Sequence, residues 1–247
     1  IKRITLEKIR LELFKKNEVV THYAMVELIN KSIHLNLVLR GFNLGKIKVL
    51  EEVVDELSID VNISDDNIKI NNLVIEKNLN RIVTQGEVSD YKNIVDMSFS
   101  LESYVDFQLA DLHKYLKFKN IGEIYTGNLK TNTKINGTIS NYEVNSELNI
   151  HNLDSEFVMA KKIKSKVILN PQKLALNSFE LENNNEKITL LKNIEFYNFK
   201  KRKFLEDKVS VNVQALKLQN GLRFLRSSMS PLKGTLTGKV DFILNEN

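Results

Sequence analysis

The chain has 247 residues, 36 Lys and Arg against 31 Asp and Glu for a net charge of +5, 42% hydrophobic residues, and neither Cys nor Trp. This composition is globular rather than disordered, and it excludes disulfides, thiolate metal sites and cysteine nucleophiles. The charge bias is small and spread along the chain, which is no footprint for nucleic acid, and no apolar run approaches the roughly 20 residues of a membrane-spanning helix.

Alternation with period two governs most of the chain. Ile33, Leu35, Leu37 and Leu39 alternate with Ser32, His34, Asn36, Val38 and Arg40, and Leu57, Ile59, Val61 and Ile63 alternate with Ser58, Asp60 and Asn62. Each set places aliphatic side chains on one face of a strand and mostly polar ones on the other. The same pattern runs from Val144 through Leu148 to Ile150, through Val209, Val211 and Val213, and from Leu236 to Leu244. About sixteen such segments are expected, at the spacing of an antiparallel meander or hairpin stack. The alternation slips by one residue within Leu6 to Ile9 and within Leu176 to Phe179, as a β-bulge requires.

With only nine Gly and two Pro, the turns fall to the thirty Asn. Asp65-Asp66-Asn67, Asn71-Asn72, Asn78-Leu79-Asn80 and Asn183-Asn184-Asn185 read as turns, because Asn tolerates left-handed backbone and bonds locally. Gly41-Phe42-Asn43-Leu44-Gly45 reads as a turn after the Leu35 strand, and it lacks the Lys and Ser/Thr of a phosphate loop. Helical spacing occurs twice, at Leu109, Leu112, Tyr115 and Leu116 and at Leu218, Leu222 and Leu225. Leu112 precedes Gly127 by 15 positions and Leu218 precedes Gly234 by 16, an internal repeat of strand, short helix, glycine and strand. The opening Ile1 and an end at Asn247 within that apparent repeat read as the limits of an excised piece, with any leader or anchor outside it.

No catalytic constellation emerges, and the chain reads as a non-enzyme without cofactors. His22, His34, His113 and His151 lie far apart with no second ligand at metal spacing, so no metal site is expected. Ser227, Ser228 and Ser230 lack a nucleophile elbow. Glu51-Glu52 and Asp65-Asp66 read as solvated turn or edge charges. Lys161, Lys162, Lys164 and Lys166, and Lys200, Lys201, Arg202 and Lys203 flanked by Phe196, Tyr197, Phe199 and Phe204, read first as edge-strand protection. Anionic headgroup contact ranks second and single-stranded nucleic acid last.

Gly127-Asn128-Leu129 through Ile135-Asn136-Gly137, and Ser230-Pro231-Leu232-Lys233-Gly234-Thr235-Leu236-Thr237-Gly238, each placed after a strand and a short amphipathic segment, resemble the AsmA/TamB group of bacterial envelope proteins. The resemblance covers residues 104–247, and residues 1–103 form a β-rich segment that lacks the glycine element; Asn-rich turns stand where the group has Gly and Pro. The resemblance implies an all-β fold with few short helices: a long curved antiparallel sheet forming an open apolar groove. It implies a periplasmic protein anchored to the inner membrane through a segment outside this sequence, passing phospholipid toward the outer membrane, with inner- and outer-membrane proteins as partners at its ends.

The residues fit that task. Exposing lipid tails to water costs about 0.8 kcal/mol per CH₂, and a continuous aliphatic face removes the cost. The expected lining is Leu35, Leu37, Leu57, Ile59, Val61, Leu148, Ile150, Val211, Val213 and Leu236, with acyl chains as partner and the short helices near Leu112 and Leu222 capping the edge. Periodicity alone favours the inner wall of a closed β-sandwich, so a structural or adhesive protein with a closed core is one alternative. A lipopolysaccharide-bridge protein of stacked jelly-roll type is the other.

Overall fold

In the computed structural model, the described residues are 2–4, 11–14, 17–29, 32–43, 53–111, 124–156, 158–198, 208–217 and 234–243. They form sixteen strands: β1 (Lys2–Ile4), β2 (Leu11–Phe14), β3 (Asn17–Ile29), β4 (Ser32–Asn43), β5 (Val53–Ile63), β6 (Asn67–Lys77), β7 (Asn80–Ser89), β8 (Ser98–Gln108), β9 (Ile124–Thr138), β10 (Tyr142–Ser155), β11 (Met159–Leu169), β12 (Lys173–Asn183), β13 (Glu186–Leu190), β14 (Ile194–Asn198), β15 (Lys208–Lys217) and β16 (Thr235–Ile243). The protein is all-β, an open antiparallel sheet with hydrogen-bonded order β1-β3-β4-β5-β6-β7-β8-β9-β10-β11-β12-β13-β15-β16, with β2 on β3 and β14 on β12. That order does not return on itself as a barrel would.

The chain divides into two compact units, Ile1–Asp106 with Lys134–Tyr142, and Phe107–Thr133 with Glu143–Asn247. In the first unit the register stacks like on like. Leu35 lies opposite Val61, Leu37 opposite Ile59 and Ile33 opposite Ile63, so the aliphatic positions of β4 and β5 share one face. A bulge in β6 keeps this match: Val61 pairs with Ile70 but Ile59 with Leu73, so Asn71 and Asn72 absorb the slip. Asn71-Asn72 is therefore a bulge inside a strand and not a turn, and Gly41–Asn43 likewise continue β4. Asn78 and Asn184 do take left-handed turns, at φ 52° and 56°.

In the second unit the slip expected at Leu176 to Phe179 is present: Lys166 pairs with Ser178 and Val167 with Leu176, leaving Asn177 as the extra residue. Here the aliphatic face closes into a core of Ala160, Leu181, Ile188, Val211, Val213 and Leu216, with Leu153, Val158 and Phe179 packed against it. Leu153 and Leu216 lie just past Asn152 and Ala215, two left-handed residues at φ 51° and 52° that redirect β10 and β15 locally. The strand carrying Lys161, Lys162, Lys164 and Lys166 is interior, paired to β10 on one side and β12 on the other. Edge protection therefore does not explain these lysines; Lys162 lies opposite Glu182, Lys164 opposite Glu180 and Lys166 opposite Glu147. A helical turn begins at residues 109–111, while Leu112 to Leu116, Leu218 to Leu225, Ser227 to Ser230, Lys200 to Lys203, Glu51-Glu52 and the Leu6–Ile9 slip lie outside the described residues.

Candidate functional site

The aliphatic face of the first unit is an apolar surface built by the described side chains of five neighbouring strands. Across β4 to β8 it consists of rows in register. Leu35, Val61, Ile70, Gly86 and Leu101 form one row, and Ile33, Ile63, Ile68, Val88 and Phe99 the next. Leu37, Ile59, Leu73, Thr84 and Ser103 form a third, and Leu57, Ile75, Ile82 and Val105 a fourth. Five strands at about 4.8 Å and four rows at about 6.8 Å give a patch on the order of 400 Å² in projection, the size of the largest, often functional, apolar patches on monomers.

Burial sets this face apart. Each of these row residues is half-buried except Ile33, which is 41% exposed. Aliphatic side chains covered by a second packed layer lose nearly all their exposure, whereas side chains with neighbours only within their own sheet keep part of it. Among the described side chains of these strands, the buried hydrophobic one, Val74, pairs with Ser58 and Val83 and so belongs to the opposite face.

Five of the ten expected lining residues, Leu35, Leu37, Leu57, Ile59 and Val61, are thus brought together on this face. Leu148 and Ile150 lie half-buried on β10 of the second unit, opposite Ser165 and Ile163. Val211 and Val213 are instead core residues at 5% and 2% exposure, filled in by the protein's own side chains. Leu236 pairs with Leu216 on the strand at the end of the sheet order, at 36% exposure.

The other face of β4 to β6 holds an arrangement that local spacing could not reveal. His34 and Asp60, 26 residues apart, meet with Nε2 and Oδ1 at 2.9 Å, and Asn71 donates to the same oxygen at 2.9 Å from within the β6 bulge. Burial raises the Asp60 carboxyl, but the Asn71 and His34 hydrogen bonds and the His34 charge outweigh it and hold the group below its ordinary value of 3.8. Among the described residues no group of three or more His, Asp and Glu gathers as a metal centre would.

Beside the dyad, the polar face carries a concavity of about 630 Å³ lined by Lys69, Asn71, Gln85, Glu87, Glu102 and Lys134 among others. Its polar groups largely satisfy one another: Gln85 donates to Glu102 at 3.4 Å, Lys134 lies 3.7 Å from Glu102, and Ser100 donates to Asn136 at 2.9 Å. In the second unit the polar face is an ion-pair lattice. Lys166 meets Glu147 at 2.6 Å, and Lys187 bridges Glu180 at 3.0 Å and Glu182 at 3.4 Å. The hydrogen bond from Lys187 is the main cause that holds the Glu180 carboxyl low. These are solvated, self-neutralising charges.

No protein-family model, curated protein or solved structure matches the chain.

Proposed function

We propose that the aliphatic face of the first unit shelters phospholipid acyl chains and that the protein is a non-enzymatic lipid conductor. The observation that supports this reading is the in-register face of β4 to β8, whose described aliphatic side chains remain half-buried instead of core-buried. An acyl chain laid on such a face recovers about 0.8 kcal/mol for each CH₂ taken out of water. Largely aliphatic rows, in which the hydroxyls of Thr84 and Ser103 pair with each other at 3.1 Å, bind a chain without fixing its position, which is what passage along the surface requires. The resemblance of residues 104–247 to the AsmA/TamB group supports a reading in which this activity lies in the bacterial periplasm, between inner and outer membranes, with membrane proteins at either end.

The second unit has a different role in this reading. Its core of Leu181, Ile188, Val211 and Val213 favours a closed, structural module that leaves no room for acyl chains there.

Native mass spectrometry of the purified chain, with lipid extraction and class analysis, tests the proposal. The expected result is bound phospholipid that is lost in Ile59→Asp/Leu73→Asp and retained in Asn62→Asp on the polar face. A lipid-free protein, or equal loss in both variants, overturns it; bound lipopolysaccharide in place of phospholipid selects the bridge alternative.

A further inference from the structure

The turns of an antiparallel meander alternate between its two ends, so one end of the first unit gathers the loops at residues 64–66, 90–97 and 139–141. That end carries an apolar tip. Ile94 is 69% exposed and Val95 81% exposed, with Ile139 at 49% in the β9–β10 turn and Ile33 at 41% on β4 at the same end.

The loop that presents the tip is braced, not loose. Asn93 donates its amide to the Asp90 carbonyl at 2.9 Å, Met97 donates to the Asn93 carbonyl at 2.8 Å, and the Val95 amide donates to the Asn93 side chain at 3.2 Å. Asp90 donates to the Asp66 carbonyl at 2.6 Å and the Tyr91 hydroxyl donates to the Ser64 carbonyl at 3.0 Å, tying this loop to the β5–β6 turn. Two aliphatic side chains are thus held out into water by a scaffold that could equally have carried polar residues. The row of Ile33, Ile63, Ile68, Val88 and Phe99 is the last of the aliphatic rows before these loops, so the apolar face extends to the end that carries the tip.

Charge decides what the tip meets. Asp90 and Asp96 on the same loop and Asp65 and Asp66 in the β5–β6 turn are all exposed. Among the described residues of these loops the cation is Lys92, which lies 4.0 Å from Asp65 and 5.9 Å from the Tyr91 ring centroid. An anionic membrane surface is repelled by these carboxylates, whereas a zwitterionic one, whose outermost groups are cationic ammonium heads, is not.

We infer that this end of the first unit dips Ile94 and Val95 into a zwitterionic lipid surface, so that acyl chains leave or join the bilayer where the aliphatic face begins. The inference rests on the acyl-chain reading for what passes, and on the tip alone for where contact is made. The chain has no Trp, so a single introduced indole reports its own surroundings. Val95→Trp sits at an exposed site and preserves the fold. Its emission should shift to the blue with phosphatidylcholine vesicles and be quenched by brominated acyl chains, and the shift should weaken when phosphatidylglycerol is added at low salt. Leu79→Trp, at the opposite end and 74% exposed in the wild type, should not shift. Ile94→Asp/Val95→Asp should lower vesicle association by about a hundredfold while its thermal melt and its capacity to carry detergent-dispersed phospholipid stay unchanged.

A Val95→Trp emission that ignores vesicles overturns the inference even where lipid co-purifies with the chain, and leaves a protein partner as the occupant of the tip. Tighter binding to phosphatidylglycerol vesicles, or an equal shift at Leu79→Trp, overturns it as well. A shift at Val95→Trp in a chain that carries no lipid keeps the membrane contact and removes the acyl-chain reading.

Discussion

The two units are written in the same alternation and end in different physical states. In the first, Leu37, Ile59 and Leu73 face one another across three strands and stay half-buried. In the second, Leu181, Ile188 and Val213 face one another across three strands and are nearly withdrawn from water, at 5%, 9% and 2% exposure. Cross-strand pairing is equally good in both, so pairing does not set burial. What differs is the presence of side chains from beyond the strand row. Ala160, Leu153, Val158 and Leu216 join the second cluster around left-handed kinks, and the first unit has no described counterpart on its aliphatic face. Alternation thus creates an apolar face, and only its cover decides whether that face is core or surface.

The largest effect that would break this contrast is a charge placed at equivalent positions. Val213→Asp buries an unpaired carboxylate and should cost about 4 kcal/mol or more in urea denaturation, whereas Ile59→Asp keeps access to water and should cost about 1–2 kcal/mol. Equal costs would mean that the first face is covered like the second.

Glycine substitutions sharpen the comparison next. A Cβ built at Gly86, at φ +141°, would lie 2.1 Å from the Ser100 carbonyl oxygen, inside the neighbouring backbone, while one at Gly238, at φ +133°, would meet nothing within 4 Å. Gly86→Ala should therefore cost about 3 kcal/mol and disturb the β7–β8 ladder, detectable as lost amide protection, and Gly238→Ala about 1 kcal/mol from conformation alone.

Acid titration should give the smallest difference. Asp60 is held below its ordinary value of 3.8, so the stability it contributes is complete above that pH and is lost as pH falls through its lower folded value. Asp60→Asn should flatten the acid limb of the first unit's unfolding curve below about pH 4. Glu180 is also held low, chiefly by the Lys187 hydrogen bond, but this pair lies in solvent, so Glu180→Gln should change the limb less.

Much of the fold was legible because its cause is local. A side chain's face on a strand follows from its parity, so the alternation of Leu57 to Ile63 located β5, and the extra residue within Leu176 to Phe179 located a bulge. Asn78 and Asn184 bend the chain as their type favours. Asn71-Asn72 misled because a bulge and a turn use the same residue; only the pairing with β5 distinguishes them. The lysines of β11 misled because edge and interior strands share a composition, and only the register with β10 and β12 shows which carboxylates face Lys162, Lys164 and Lys166. Five lining residues were identifiable as one face, but the burial of Val211 and Val213 was not.

The sequence by itself determined that the chain is built from paired antiparallel strands with one greasy and one wet side, since period two is a property of each segment alone. Tertiary structure alone decided that His34 meets Asp60, that Ile94 and Val95 stand at the same end as Ile33, and that one aliphatic face is packed while the other stays partly open to water. Each of these depends on which strand becomes a neighbour and what lies over it, which no local periodicity encodes.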